Sequence, residues 1–95
     1  MDTSEDRERG RELYTAHAWK RAYESLSSAD RKGPLEAPDL ELLATAAYML
    51  GREDEYVDAL ERAYHRLEGS GDAQRASRCA FWVGLNRLQR AEPAR

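Results

Sequence analysis

The stretch LATAAYMLGREDEYVDALERAYHRLEGSGD, residues 43–72, predicts two helices joined by a short turn. Apolar or small residues recur at three- and four-residue intervals on both sides of Gly51, as they do in amphipathic helices. Gly51 is typical of a left-handed helix C-cap, and the acidic residues that follow favour a helix N-terminus. Asp72, after the glycines of GSG, predicts the start of a further helix.

The rest of the chain extends the same pattern in both directions. Helices are predicted over residues 4–16, 18–29, 38–51, 53–68 and 73–90. Ala, Leu, Glu and Arg dominate the composition and favour helices, whereas Val, Ile and Thr, which favour strands, are scarce. Because the connections are short, sequential helices are expected to be antiparallel neighbours. The 95 residues therefore predict one domain, residues 1–95, with an all-α fold: an antiparallel array of five helices.

Composition also limits where the protein acts. Cys79 is the only cysteine, so an internal disulfide and a cysteine metal cluster are excluded, and its apolar neighbours predict a buried thiol. The polar N-terminus is unlike a secretory signal, and no run approaches the ~18 apolar residues of a membrane span. We therefore expect a cytoplasmic protein that makes no membrane contact.

Five pairs of small or apolar residues share a separation of 34 positions along the chain. They are Gly10 and Ala44, Tyr14 and Tyr48, Ala22 and Tyr56, Leu26 and Leu60, and Ala29 and Ala63. A period of 34 across a helix–turn–helix unit is that of the tetratricopeptide (TPR) repeat. It divides the chain into a first repeat at 1–33, a second at 34–71 and a half repeat at 72–95.

Residues 43–72 resemble a TPR unit, although the bulky Tyr56 replaces a usually small residue, so packing there must differ. The phrases LATAAYMLGREDEYVDALERAY and GDAQRASRCAFWVGL resemble the N-terminal repeat region of certain actinobacterial LuxR-type transcriptional regulators, over residues 10–95. In such proteins a helix-turn-helix domain follows much later, and nothing here resembles it. The resemblance implies a regulatory region that binds proteins or senses a ligand.

The segment CAFWVGLNRL, residues 79–88, carries apolar residues all around its helical axis. A helix of this kind is expected to be covered on several sides. In a repeat array its later partner helix would be missing here. A second copy of the protein, a continuation of the chain beyond Arg95, or the earlier helices closing into a bundle would supply the cover. Trp82 is accordingly either core or an intermolecular contact.

The resemblance to TPR proteins also predicts a binding surface, because the first helices of their repeats line a concave groove. The corresponding positions are Arg7, Arg11 and Tyr14 in the first repeat, Glu41, Thr45 and Tyr48 in the second, and Phe81 and Leu85 in the third, with Trp82 beside them. Arginine and aromatic side chains would suit a protein or peptide partner with an acidic end. The alternatives are that Tyr14 and Tyr48 are packing residues, and that the protein is a homodimeric structural module pairing through its C-terminal helix.

Nothing in the sequence indicates an enzyme, a cofactor or a metal site. The acids at 53–55 are ordinary for a helix N-terminus, and His17 and His65 are expected at the surface, without ligands nearby. Residues 1–72 carry 10 basic and 17 acidic residues, a net −7, whereas residues 73–95 carry five arginines and one glutamate, a net +4. The last helix is therefore expected to dock on an acidic protein face, within the chain or in a second copy, rather than on nucleic acid.

Overall fold

The structure, a computed structural model, describes the backbone of residues 3–91 and the side-chain burial of residues 5–89. The described residues form five helices and no strand: α1 (Thr3–Thr15), α2 (Trp19–Lys32), α3 (Ala37–Met49), α4 (Glu53–Ser70) and α5 (Ala73–Ala91). The predicted all-α fold is confirmed, and every predicted helix end lies within 3 residues of the observed one. Residues 92–95, the end of the predicted half repeat, lie outside the described part.

Local backbone chemistry sets the ends of the later helices. Gly51 (φ 76°) and Gly71 (φ 85°) adopt the left-handed conformation after α3 and α4. The next residue then donates its N–H back into the helix, from Arg52 to the Ala47 carbonyl at 2.9 Å and from Asp72 to the Leu67 carbonyl at 3.0 Å. This Schellman arrangement reverses the chain within a few residues. Gly51 therefore caps α3 as predicted.

Helix α1 ends in the same way, but on a histidine. His17 has φ 60°, a conformation uncommon for a residue with a Cβ. Its N–H donates to the Tyr14 carbonyl at 2.9 Å, and the N–H of Ala18 donates to the Leu13 carbonyl at 2.9 Å. The imidazole is exposed, as predicted, and stacks on Trp19 with ring centroids 5.1 Å apart. His17 thus serves as the C-cap of α1.

The core is built mainly from leucine and alanine. Leu26 of α2, Leu35 of the α2–α3 connection and Leu40 of α3 are fully buried. Helix α4 packs against both α3 and α5, and the residues it buries are Ala59, Leu60, Ala63 and Leu67. Helix α5 contributes Ala76, Cys79 and Val83 to the same cluster. The predicted burial of the Cys79 thiol is confirmed.

Ion pairs connect each of the first three helices with the helix two places further along the chain. Arg11 of α1 pairs with Asp39 of α3, and Arg62 of α4 pairs with Asp30 of α2. Arg75 of α5 pairs with Glu41 of α3, so the predicted docking of α5 on acidic residues occurs within the chain.

The helices form an open row rather than a closed bundle. Helix α1 lies beside α2 and α3, whereas α4 is the one described helix whose backbone approaches that of α5. The shortest dimension of the molecule is 21 Å, about two helix diameters. Because α4 is the one described helix that packs on α5, the side of α5 opposite α4 has no cover.

Candidate protein-binding groove

A groove of about 390 Å³ runs between α3 and α5, above α4. We call it the α3–α5 groove. It is lined by Glu41, Thr45 and Tyr48 from α3, by Tyr56 and Leu60 from α4, and by Arg78, Cys79, Trp82, Leu85, Asn86 and Gln89 from α5. The groove exists because α3 and α5 both pack on α4 while their own backbones stay apart.

Aromatic residues form much of the groove surface. Tyr56, at a position where the predicted TPR pattern would have a small residue, reaches Tyr48 across the α3–α4 hairpin, with ring centroids 5.2 Å apart. Burial raises the pKa of the Tyr56 hydroxyl, so this group stays protonated at neutral pH and can donate a hydrogen bond. On the opposite wall Trp82 keeps 45% of its surface exposed. An occupant would therefore meet an aromatic side chain on each wall.

One end of the groove carries two arginines around a single carboxylate. Arg75 donates a hydrogen bond to Glu41 Oε2, and Arg78 Nη2 lies 3.6 Å from Glu41 Oε1. Two positive charges and one negative charge leave a local excess of one positive charge. The Arg78 side chain is 61% exposed, so this charge is accessible from solvent.

Two further polar groups of the groove come from α5. Asn86 Oδ1 is buried and has no hydrogen-bond partner among the described residues. A buried acceptor left unpaired costs about 1–3 kcal/mol, and this atom has almost no surface that an occupant of the groove could contact. Burial raises the pKa of the Cys79 thiol above its usual 9.0, so the thiol is protonated and a poor nucleophile at neutral pH.

The outer face of α5 is apolar and exposed. Phe81 is 61% exposed and Leu88 is 59% exposed, on the side of the helix away from the buried Cys79 and Val83. The cover expected on several sides of this helix is therefore absent within the described chain, and the closed-bundle alternative is excluded. Trp82 is neither full core nor fully exposed. No described helix combines the length and apolarity needed to cross a lipid bilayer.

The structure brings together five of the nine residues predicted for the binding surface. These are Glu41, Thr45, Tyr48, Trp82 and Leu85, which line the α3–α5 groove. Phe81 lies on the outer face of α5 instead. Arg7, Arg11 and Tyr14 of α1 do not line this groove, and Arg11 donates two hydrogen bonds to Asp39, each 2.8 Å long. The binding role of all nine residues stays a prediction.

Six residues of the groove were not predicted to belong to it: Tyr56, Leu60, Arg78, Cys79, Asn86 and Gln89. Cys79 was expected only as a buried thiol. Three of them could have been predicted from helical spacing, because Arg78 and Asn86 lie four residues before and after Trp82, and Gln89 lies four after Leu85. Tyr56 could have been noticed because it departs from the predicted repeat pattern. Leu60 had the pattern of an ordinary core residue and offered no such signal.

The described residues hold no group of three or more His, Cys, Asp or Glu side chains arranged to bind a metal ion. Comparisons with known proteins give no functional precedent for the groove. No protein-family model matches the chain, and neither a curated protein nor a solved structure is significantly similar to it. The TPR and LuxR-type resemblances therefore remain predictions from the sequence.

Proposed function

We propose that this chain is a helical interaction module that binds a protein or peptide segment in the α3–α5 groove. The observation that carries the proposal is the placement of Tyr48 and Trp82 on opposite walls, above Tyr56 and Leu60. Partly exposed aromatic side chains in a concave apolar surface are typical anchors of protein interfaces. The volume of the groove lies within the ~300–1,000 Å³ of binding pockets.

The polar groups of the groove favour binding over catalysis. The Cys79 thiol is protonated, and the Glu41 carboxylate is already engaged by two arginines. A small-molecule effector is the alternative occupant. The groove is only partly enclosed, which favours an extended segment or a helix over a ligand that needs full enclosure.

The proposed fold family is a TPR-like array of about two and a half repeats. Its support is the 34-residue spacing together with matched burial: Leu26 and Leu60 are both buried, as are Ala29 and Ala63. A role as the regulatory region of a transcription regulator is proposed from the sequence resemblance alone. Sequencing the genomic reading frame past Arg95 tests it, because a helix-turn-helix domain is expected downstream.

Blocking the groove tests the proposed binding site. Thr45→Arg places a long side chain in the groove, and Thr15→Arg is the matched control on α1. Both threonines donate a hydroxyl hydrogen bond to the carbonyl four residues earlier, Thr45 at 3.1 Å and Thr15 at 3.0 Å. A displayed peptide library is selected on each immobilised protein, kept dilute. Peptides enriched on the wild type and on Thr15→Arg should be lost on Thr45→Arg.

Fluorescence provides a second measurement of groove occupancy. Trp19→Phe leaves Trp82 as the only tryptophan, so a selected peptide should shift its emission. Helical circular dichroism of each variant confirms that it is folded. Peptides that bind Thr45→Arg and the wild type equally well would place the binding surface elsewhere.

A further inference from the structure

Charged residues differ between the two ends of the α3–α5 groove, although the acidic ones lie beside the groove rather than in its lining. At one end Arg75 and Arg78 share Glu41, which leaves an excess positive charge. At the other end α4 begins with Glu53 and Glu55, which are exposed and form no ion pair within the described residues. Glu53 lies one helical turn before the groove residue Tyr56, on the same face of α4.

The two ends lie well apart along the groove. Contact between Tyr48 and Tyr56 places the start of α4 beside the end of α3. Glu41 lies seven residues before Tyr48, and a helix rises about 1.5 Å per residue, so about 10 Å separate the positive end from Tyr48. The positively charged residues and the acidic residues are therefore separated along the length of the groove.

A second surface of the same chain, which shares Leu85 with the groove wall, is also without full cover. Phe81, Leu85 and Leu88 are spaced by four and three residues, which aligns them on one face of α5. We call these three residues the α5 stripe. Phe81 and Leu88 are exposed and Leu85 is half-buried, while Cys79 and Val83 on the opposite face are buried against α4. The stripe is apolar and has the shape of a helix surface that fits a groove.

We propose that α5 of a second copy of this chain occupies the groove, in an antiparallel arrangement about a two-fold axis. The α5 stripe of each copy enters the groove of the other. The proposal rests on the proposed function, since the second copy is then the protein partner. A two-fold interface must be self-complementary, and the two uncovered apolar surfaces of one chain would cover each other.

Charge selects the antiparallel orientation. With the axis near Leu85, the positive end at Arg78 in one copy meets the negative end at Glu53 in the other, and the reverse contact forms by symmetry. A parallel arrangement would bring like charges together, which is unfavourable. A second copy of the chain would thus provide an apolar surface, the α5 stripe, and charged residues that match those at the groove.

Sedimentation of the full chain at concentrations up to about 500 µM tests the arrangement. The dimer dissociation constant of the wild type is compared with that of variants in which the charge of one residue is reversed. The wild type should be a dimer. Arg78→Glu and Glu53→Arg should each raise the dimer dissociation constant about tenfold, because each change replaces two attractive contacts with repulsive ones. The two changes combined should restore the wild-type value. Arg21→Glu and Glu24→Arg, at exposed positions on α2, are the matched controls and should have no effect.

A second variant tests the apolar contact. Leu88 is 59% exposed, so Leu88→Glu should keep the helical circular dichroism of the wild type while producing a monomer. A dimer that tolerates Leu88→Glu would overturn the proposal, since the stripe would then lie outside the interface. Failure of the combined Arg78→Glu and Glu53→Arg variant to restore pairing would overturn the antiparallel orientation.

The outcome also distinguishes this inference from the proposed function. A wild type that stays monomeric at every concentration overturns self-pairing. If that monomer still selects peptides in a manner that Thr45→Arg abolishes, the groove binds a different protein and the proposed function stands. If it selects none, both proposals fail.

Discussion

Replacing Arg11 with alanine is expected to destabilise the fold, rather than to remove a contact with a binding partner. Asp39 is the one charged residue that is buried among residues 5–89, with 3% of its surface exposed. Both of its carboxylate oxygens accept a hydrogen bond from Arg11, at 2.8 Å each. Removing the guanidinium would leave a buried carboxylate without its side-chain partner.

The structure limits the size of this effect. Removing one member of a fully buried ion pair costs about 3–5 kcal/mol. The Arg11 side chain is 52% exposed, so water can reach the site and screen the charge. Asp39 also lies in the first turn of α3, where the helix dipole stabilises a negative charge by up to about 1 kcal/mol. We therefore expect Arg11→Ala to lower the free energy of unfolding by about 2 kcal/mol, which lowers Tm by about 10 °C.

Urea unfolding of Arg11→Ala, Asp39→Ala and the double variant measures the coupling between the two side chains. The double variant should be no less stable than Asp39→Ala, because Arg11 has no buried charge to neutralise once Asp39 is gone. Arg21→Ala, an exposed arginine on α2, is the control and should change stability by less than about 0.5 kcal/mol. An equally small effect for Arg11→Ala would refute the reasoning and leave the guanidinium available to a partner.

Gly10→Ala should destabilise the fold by about 1–3 kcal/mol, because an added Cβ would lie 2.6 Å from Cγ of the fully buried Leu26. Gly84→Ala should instead stabilise it by about 0.5–1 kcal/mol, since no atom lies within 4 Å of the added Cβ and alanine favours a helix. Thermal unfolding checks both signs, and the same sign for both would contradict the packing described. Hydrogen bonds from Arg62 lower the pKa of Asp30 below its usual 3.8, so their stabilisation is present above that pH and is lost as the pH falls through the folded-state pKa. Asp30→Asn should thus be less stable than the wild type at pH 7, and the difference in urea midpoint should shrink as the pH falls below the usual pKa of 3.8; a constant difference would exclude the pair as its source.

Helix number and bounds could be predicted because their causes are local. The apolar spacing around Gly51 and the capping role of Asp72, which accepts the Arg75 N–H at 3.2 Å, depend on residues only a few positions apart. The cap of α1 was not predicted, because His17 has a positive φ, a conformation that is usually found at glycine. In this conformation the imidazole of His17 stacks on the Trp19 ring.

The candidate site was predicted only in part, because it depends on which helices lie side by side. Thr45 and Trp82 share a groove because α3 and α5 both pack on α4. Arg11, predicted for the same surface, is instead paired with Asp39, a residue whose burial no local pattern indicated.

The sequence by itself determined an all-helical chain with five segments, a buried Cys79 and a net positive charge on the C-terminal segment that contains the last helix. These properties follow from periodicity, capping and composition, which act over a few residues. Only the tertiary structure decided that Asp39 is buried, that Tyr56 lines a groove and that the outer face of α5 stays exposed. The physical reason is that a side chain's burial depends on the neighbouring helix that covers it, and that neighbour comes from a distant part of the chain.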